Sequence, residues 1–305
     1  MITPWVVAAG LVLAPVPDFS WSVQPSGPKG PTGRDYFVYS AEPGQTVRDT
    51  VGITNRSTKP LTFRVYPSDA FTTEDGSFAL LTADKPATDL GSWIKVGGAT
   101  VTVRPGKRAD LPFTLTIPRD ATPGDHTGGV LAAVTEQRPT GGGQRVNVDR
   151  RVAARVYLRV NGPLTSNLAV DRISASHDGP LVGDGTVTVT YRVRNTGNVR
   201  LKARAHVSAE APFAWPQGTP ADREIPELLP GSSMTFTDRV PGVLPAGPLK
   251  ASVRLTPADP EGVSPTRLAA TSRTAGFWAV PWAVLGAAAL VLLLLGRRRP
   301  RRRRA

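Results

Sequence analysis

A chain of 305 residues with 37 Lys and Arg against 24 Asp and Glu carries a formal charge of +13. Seven of those positives crowd into the last nine residues, and setting them aside leaves +6 spread thinly, not the concentrated basic face that nucleic-acid binding demands. Cysteine is absent, which excludes disulfide staples, thiolate metal sites and cysteine nucleophiles and requires any exported domain to bury a real core.

The first segment, residues 1–22, reads as a signal peptide: "WVVAAGLVLAPV" from Trp5 to Val16 is its apolar core, although no Lys or Arg precedes Lys29. Residues 23–33, with "QPSGPKGPTGR", form a Pro/Gly-rich leader. From residue 34 the chain takes up a period of two. In "TVRDTVGIT", Val47, Val51 and Ile53 oppose Thr46, Arg48 and Thr50, and in "LTFRVY", Leu61, Phe63 and Val65 alternate with Thr62 and Arg64. "VAARVYLRV" repeats the pattern through Val152, Ala154, Val156, Leu158 and Val160. Such alternation marks strands with one buried and one wet face, and the spacers ("EPGQ", "NRSTKP", "RPGKR", "TPGDH") supply turn residues. The expectation is an all-β architecture: an immunoglobulin-like antiparallel sandwich over 34–162 and a second over 163–256.

The second half repeats the order of the first. Asn55 and Asn195 each end a strand and lead through a turn to Leu61 or Leu201, while Pro105-Gly106 and Pro230-Gly231 each precede an apolar strand. Residues 257–275 read as a semi-extended linker. The stretch 276–295, "GFWAVPWAVLGAAALVLLLL", is uncharged and about as long as a bilayer-crossing helix requires. Residues 296–305 form an arginine-rich cytoplasmic tail, because an arginine at the membrane centre costs about 2.5–3.5 kcal/mol. The predicted membrane boundaries are Trp278 and Trp282 on the outer side and Arg297, Arg298 and Arg299 on the inner side. The topology expected is a single pass with the sandwiches outside the cell.

Candidate chemistry is sparse. His126, His177 and His206 stand apart from one another, so neither a metal nor any other cofactor is expected. No G-x-S-x-G elbow occurs, and Asp69 with Glu74 or Asp75 in "DAFTTEDGS" reads as turn chemistry rather than an acid–base pair. A non-catalytic protein is the expectation. Sugar rings stack on aromatic faces, which makes Trp93 and Tyr66 the ligand-binding candidates, with Tyr39 behind them. For Trp93 and Trp215, burial in a sandwich core is the commoner fate. Arg48, Arg64 and Arg104 add surface charge.

"YFVYSAEPGQTVRDTVGITNRSTKPLTFRVYPSDAFTTEDGSF", "SWIKV", "VTVRPGKRADLPFTLTIPRDATPGDHTGGVLAAV" and "RRVAARVYLRVNG" together resemble the N-terminal domain of the WxL-interacting protein family. The ordered series Pro43-Gly44, Asn55, Asp69-Ala70, Gly76, Trp93, Pro105-Gly106, Pro118, Pro123-Gly124 and Gly128-Gly129 carries the resemblance over about residues 23–162. It implies a bacterial surface protein whose first domain binds peptidoglycan or another wall glycan and whose second engages a surface protein partner. The second half departs from the family's pattern, since "VRNTGNVRL" reads as a generic immunoglobulin-like module. The alternative is a structural spacer that binds no glycan itself.

Overall fold

The computed structural model describes residues 19–73, 75–139, 145–258 and 268–297. It is all-β apart from two helices, and the chain falls into two compact units. Of the described residues, the first unit comprises those up to 69, with those in 81–120 and 127–158; the second takes in those in 70–80, in 121–126 and from 159 onward. Two short segments of the first sequence repeat therefore belong to the second unit, which a single cut near residue 162 does not anticipate.

The strands between residues 19 and 160, which make up the first unit together with the 70–80 and 121–126 segments of the second, form a sandwich of two sheets. Its strands are β1 (Trp21–Gly27), β2 (Gly30–Pro31), β3 (Phe37–Ala41), β4 (Thr46–Asn55), β5 (Leu61–Thr72), β6 (Phe78–Leu80), β7 (Ile94–Val96), β8 (Thr100–Val103), β9 (Arg108–Thr116), β10 (Gly124–Pro139) and β11 (Arg145–Val160), with one turn of helix, α1 (Leu90–Trp93), before β7. One sheet runs β2-β1-β4-β9-β7; the other runs β3-β11-β10-β5-β6, with β8 also on β5. The alternating residues meet between the sheets: Val51, Ile53, Phe63, Phe113, Leu115, Val130, Val156 and Leu158 are all buried. Phe37 meets Phe113 edge-on at 5.0 Å, a favoured aromatic geometry.

The leader expected over 23–33 is instead part of this sandwich. β1 pairs with β4 from Trp21↔Asn55 to Ser26↔Thr50, and Val23 is buried. Pro25 is tolerated because β2 is two residues long and reaches only Ser26 and Gly27, leaving β1 an edge strand at Pro25. Trp21, placed by sequence in the signal peptide, packs on Phe63 at 5.5 Å and donates its indole N–H to Ala132 O at 3.3 Å. The rest of the signal segment, residues 1–18, lies outside the described residues.

The second unit is built from β12 (Leu168–Asp178), β13 (Gly185–Asn195), β14 (Leu201–Ala211), β15 (Trp215–Leu228), β16 (Ser233–Val243), β17 (Gly247–Ala258) and β18 (Thr271–Ala279). Its sheets are β12-β13-β16 and β15-β14-β17-β18, enclosing Val187, Val189, Tyr191, Val193, Leu201, Val207, Val253 and Leu255. Asp125 is buried in this unit, holding the Arg159 guanidinium through two bonds of 2.7 and 2.9 Å and the Arg200 backbone N–H at 2.8 Å. A carboxylate withdrawn from water needs such donors to offset its lost hydration.

The predicted linker and span are corrected at their junction. β18 pairs with β17 in nine register positions, from Leu255↔Thr271 to Gly247↔Ala279, so 271–275 is sheet rather than spacer and 276–279 is sheet rather than helix. Most side chains of β18 are exposed, and an edge strand with little burial leaves no alternation to read. The helix itself, α2, runs Trp282–Arg297, sixteen residues. Among the described residues no helix is long and apolar enough to cross a membrane. Arg298 and Arg299 lie outside the described residues.

Candidate functional site in the first domain

β5 presents Thr62, Arg64 and Tyr66 outward, because Leu61, Phe63 and Val65 are committed to the core. The outward face is not left bare. Residues 81–91 fold across it, held at both ends by Ser68 and Asp69. The Ser68 hydroxyl donates to Leu81 O at 3.1 Å, and the Leu81 N–H donates to Asp69 O at 3.1 Å. At the far end the buried Asp69 carboxylate accepts the backbone N–H groups of Thr88 (2.6 Å), Asp89 (2.9 Å) and Gly91 (2.6 Å). Asp69 and Asp75 thus bond to separate segments. The three donors to Asp69 come from a turn about twenty residues downstream, whereas Asp75 closes its own turn with Thr73 and Ser77.

This loop forms one wall of a cleft. Two adjoining hollows of about 530 and 290 Å³ share Arg64, Thr82 and Ala83; the larger adds Asp84, Asp149 and Arg151, and the smaller adds Tyr66, Lys85 and Pro86. Arg64 reaches Asp149 at 3.3 Å, and Asp149 also accepts from Thr135 at 2.6 Å. Arg151 donates to Leu81 O at 3.0 Å. The Thr82 hydroxyl, with lesser help from the nearby Lys85 and Arg151 charges, holds the Asp84 carboxyl below the usual carboxylate range. The Arg64 guanidinium lies 5.3 Å from the Tyr66 ring centre, within cation–π range. The Tyr66 hydroxyl is buried and, among the described residues, has no hydrogen-bond partner.

The cleft offers three cations, two carboxylates, an aromatic face and one unmet hydroxyl. That set can bind a polyhydroxylated chain bearing carboxylates. Among the described residues no three metal-ligating side chains converge.

Of the two aromatics singled out from sequence, Tyr66 lines the cleft and Trp93 does not. Trp93 closes α1, half-buried, away from both hollows. Trp215, expected in a core, is 70% exposed. Tyr39 donates its hydroxyl to Asp49 at 2.7 Å, and burial together with that bond pushes its phenol well above the usual range. Each histidine meets a different partner: His126 bonds Thr122 O, His177 bonds Val243 O, and His206 bonds Asp222. Sequence reasoning missed Lys85 and Arg151 as cleft residues and Asp69 as the holder of the loop, since sheet pairing and a long turn bring them together from separate stretches.

Comparison with known proteins bears on the same domain. Residues 21–133 match the family described as WxL Interacting Protein, peptidoglycan binding domain. No curated protein matches the chain in sequence. Among solved structures, a chaperone–tip adhesin complex of CFA/I fimbriae biogenesis is similar at 10% identity and a TM-score of 0.43, over 83% of this chain and 98% of that one. The class 5 fimbriae chaperone CfaA is similar at 9% identity and 0.42, over 84% and 98%, and the Pseudomonas aeruginosa CupB2 chaperone at 13% and 0.34, over 81% and 99%. The sequence match takes in β5 and the 81–91 loop but stops short of β11, which supplies Asp149 and Arg151, and over residues 21–133 the first domain matches the peptidoglycan-binding domain of the WxL-interacting protein family.

Proposed function

We propose that this is a non-catalytic cell-envelope protein that holds a peptidoglycan-type wall polymer in the Arg64–Tyr66–Arg151 cleft. The orphaned Tyr66 hydroxyl, set among Arg64, Lys85 and Arg151 in a domain of peptidoglycan-binding type, carries this reading. Glycan hydroxyls and N-acetyl groups can satisfy the phenol, while stem-peptide carboxylates meet the cations. A surface protein partner for the second domain belongs to the same proposal, as does anchoring by the apolar C-terminal segment. In support of the anchor, Leu290 to Leu295 are each more than half exposed on consecutive positions of α2, so the helix is apolar on every face and unpartnered.

Co-sedimentation of the detergent-solubilised full chain with isolated sacculi tests the wall-binding half. Binding that falls with Arg151→Ala and Tyr66→Ala supports the cleft. Sedimentation no greater than that of an unrelated sandwich protein overturns wall binding and leaves a structural spacer.

A further inference from the structure

In the second unit, register decides which turns share an end. Gly185 at the start of β13 pairs with Val243 at the end of β16; Glu210 near the end of β14 pairs with Lys250 near the start of β17; Ala211 pairs with Trp215; and Gly247 pairs with Ala279 at the end of β18. The turn over 179–184, the turn Pro212–Ala214, the turn over 244–246 and the exit of β18 toward α2 therefore lie at one end of the sandwich.

That end is oily. Leu181, Val182, Phe213, Trp215, Leu244 and Trp278 are each more than half exposed. Between residue 159 and Ala279 they are the only large apolar side chains so exposed among the described residues. The turns at the opposite end bury theirs, Val199 at 196–200 and Leu229 at 229–232. Phe213 is fully exposed and sits at φ +64°, a conformation disfavoured for a residue with a side chain and retained where the surroundings demand it. Beside it Pro212, Pro248, Phe277 and Trp278 line a hollow of about 560 Å³. Three turn tips and a strand end that converge on one apolar surface form a built face, not scattered exposure.

The neighbouring helix says what covers it. Sixteen residues at 1.5 Å each make α2 about 24 Å long, against about 30 Å for a hydrocarbon core. Inserted as proposed above, a helix shorter than the hydrocarbon core starts no higher than the lipid boundary, and β18 joins it through Val280-Pro281 alone. The strand end and the tips beside it are then level with the lipid boundary, where Trp and Phe are favoured. Charge is not the attraction: Asp178, Asp184 and Glu210 outnumber Lys250 there.

We infer that this end of the second unit is a lipid-docking face, inserting the tips that carry Leu181, Phe213 and Leu244 into the bilayer's outer boundary beside α2. The inference rests on the proposed insertion of α2, and the two are separable. Since the chain has no cysteine, single labels at Leu181→Cys, Phe213→Cys and Leu244→Cys report each tip, Leu290→Cys reports the helix, and Thr165→Cys reports the far end. The full chain carrying an environment-sensitive dye is reconstituted in phosphatidylcholine–phosphatidylglycerol vesicles with nitroxide lipids of known depth. Tip labels are expected to shift to the blue and to be quenched several-fold more by shallow nitroxides than the Thr165 label, with no loss in high salt. Deep quenching at Leu290 with tips as unquenched as Thr165 overturns the docking face and leaves the anchor standing. Absence of quenching at Leu290 overturns the anchor and the docking face together.

Discussion

Asn55 and Asn195, 140 positions apart, make the same set of hydrogen bonds in their respective sandwiches. Each Nδ2 donates to the carbonyl four residues on (Lys59, 2.8 Å; Val199, 2.7 Å) and to an edge carbonyl (Val103, 2.8 Å; Leu228, 3.0 Å). Each Oδ1 accepts the N–H two residues on, from Ser57 or Gly197. Each backbone carbonyl accepts from the glycine of a Pro-Gly turn, Gly106 or Gly231, whose φ of +64° or +74° is cheap only without a side chain. Both asparagines are fully buried. Replacement by Ala leaves two carbonyls and an N–H unmet, and at about 1–3 kcal/mol per group part of that is recovered by relaxation or water. Asn55→Ala and Asn195→Ala are each expected to lose about 2–4 kcal/mol in denaturant unfolding. Asp at either site, aiming lone pairs at carbonyl oxygens, is expected to cost more than Ala.

Tyr66→Phe separates folding from binding by sign. Removing a buried hydroxyl that has no partner is expected to raise stability by up to about 1 kcal/mol. The same change should weaken retention on sacculi. A loss of stability in thermal unfolding contradicts the orphan assignment, and unchanged retention contradicts its use by a ligand.

Asp69→Ala strips the acceptor from three backbone N–H groups and frees one wall of the cleft. The expected signature is local: faster amide exchange over residues 81–91, an overall loss of about 2–3 kcal/mol, and weaker wall binding although Asp69 does not line the cleft.

Two tyrosines and one carboxylate set the pH limits. Burial and a bond to an aspartate raise the phenols of both Tyr39 and Tyr191. A raised folded value stabilises fully below the unfolded value near 10 and is lost as pH climbs above it. Alkaline unfolding is therefore expected to begin above about pH 10 and to be blunted in Tyr39→Phe with Tyr191→Phe. For Asp49, burial works to raise the carboxyl, but bonds from Arg34, Tyr39 and the Thr50 N–H outweigh it and hold the group low. Its contribution is present above about pH 4 and fades as pH falls through the folded value, so Asp49→Asn should flatten the acid limb of a pH–stability curve.

The alternating strands were legible because one face is buried: Val187, Val189, Tyr191 and Val193 of β13 read as a strand from periodicity alone and are all buried. β1 was hidden by Pro25 and Gly27, which read as leader yet suit an edge strand. β18 was hidden for the opposite reason, since few of its side chains are buried. The cleft was legible only as far as Tyr66 facing outward on β5. Its partners depend on Asp69 reaching N–H groups at Thr88, Asp89 and Gly91, and no local spacing announces a bond across twenty residues.

The continuous passage from β18 into α2 has a mechanical consequence. Tension arriving along the helix enters β18 along the strand axis, where nine register pairs with β17 resist together in shear. Peeled from one end, the same bonds would break singly. A chain loaded through that junction should thus yield at high force and in one step.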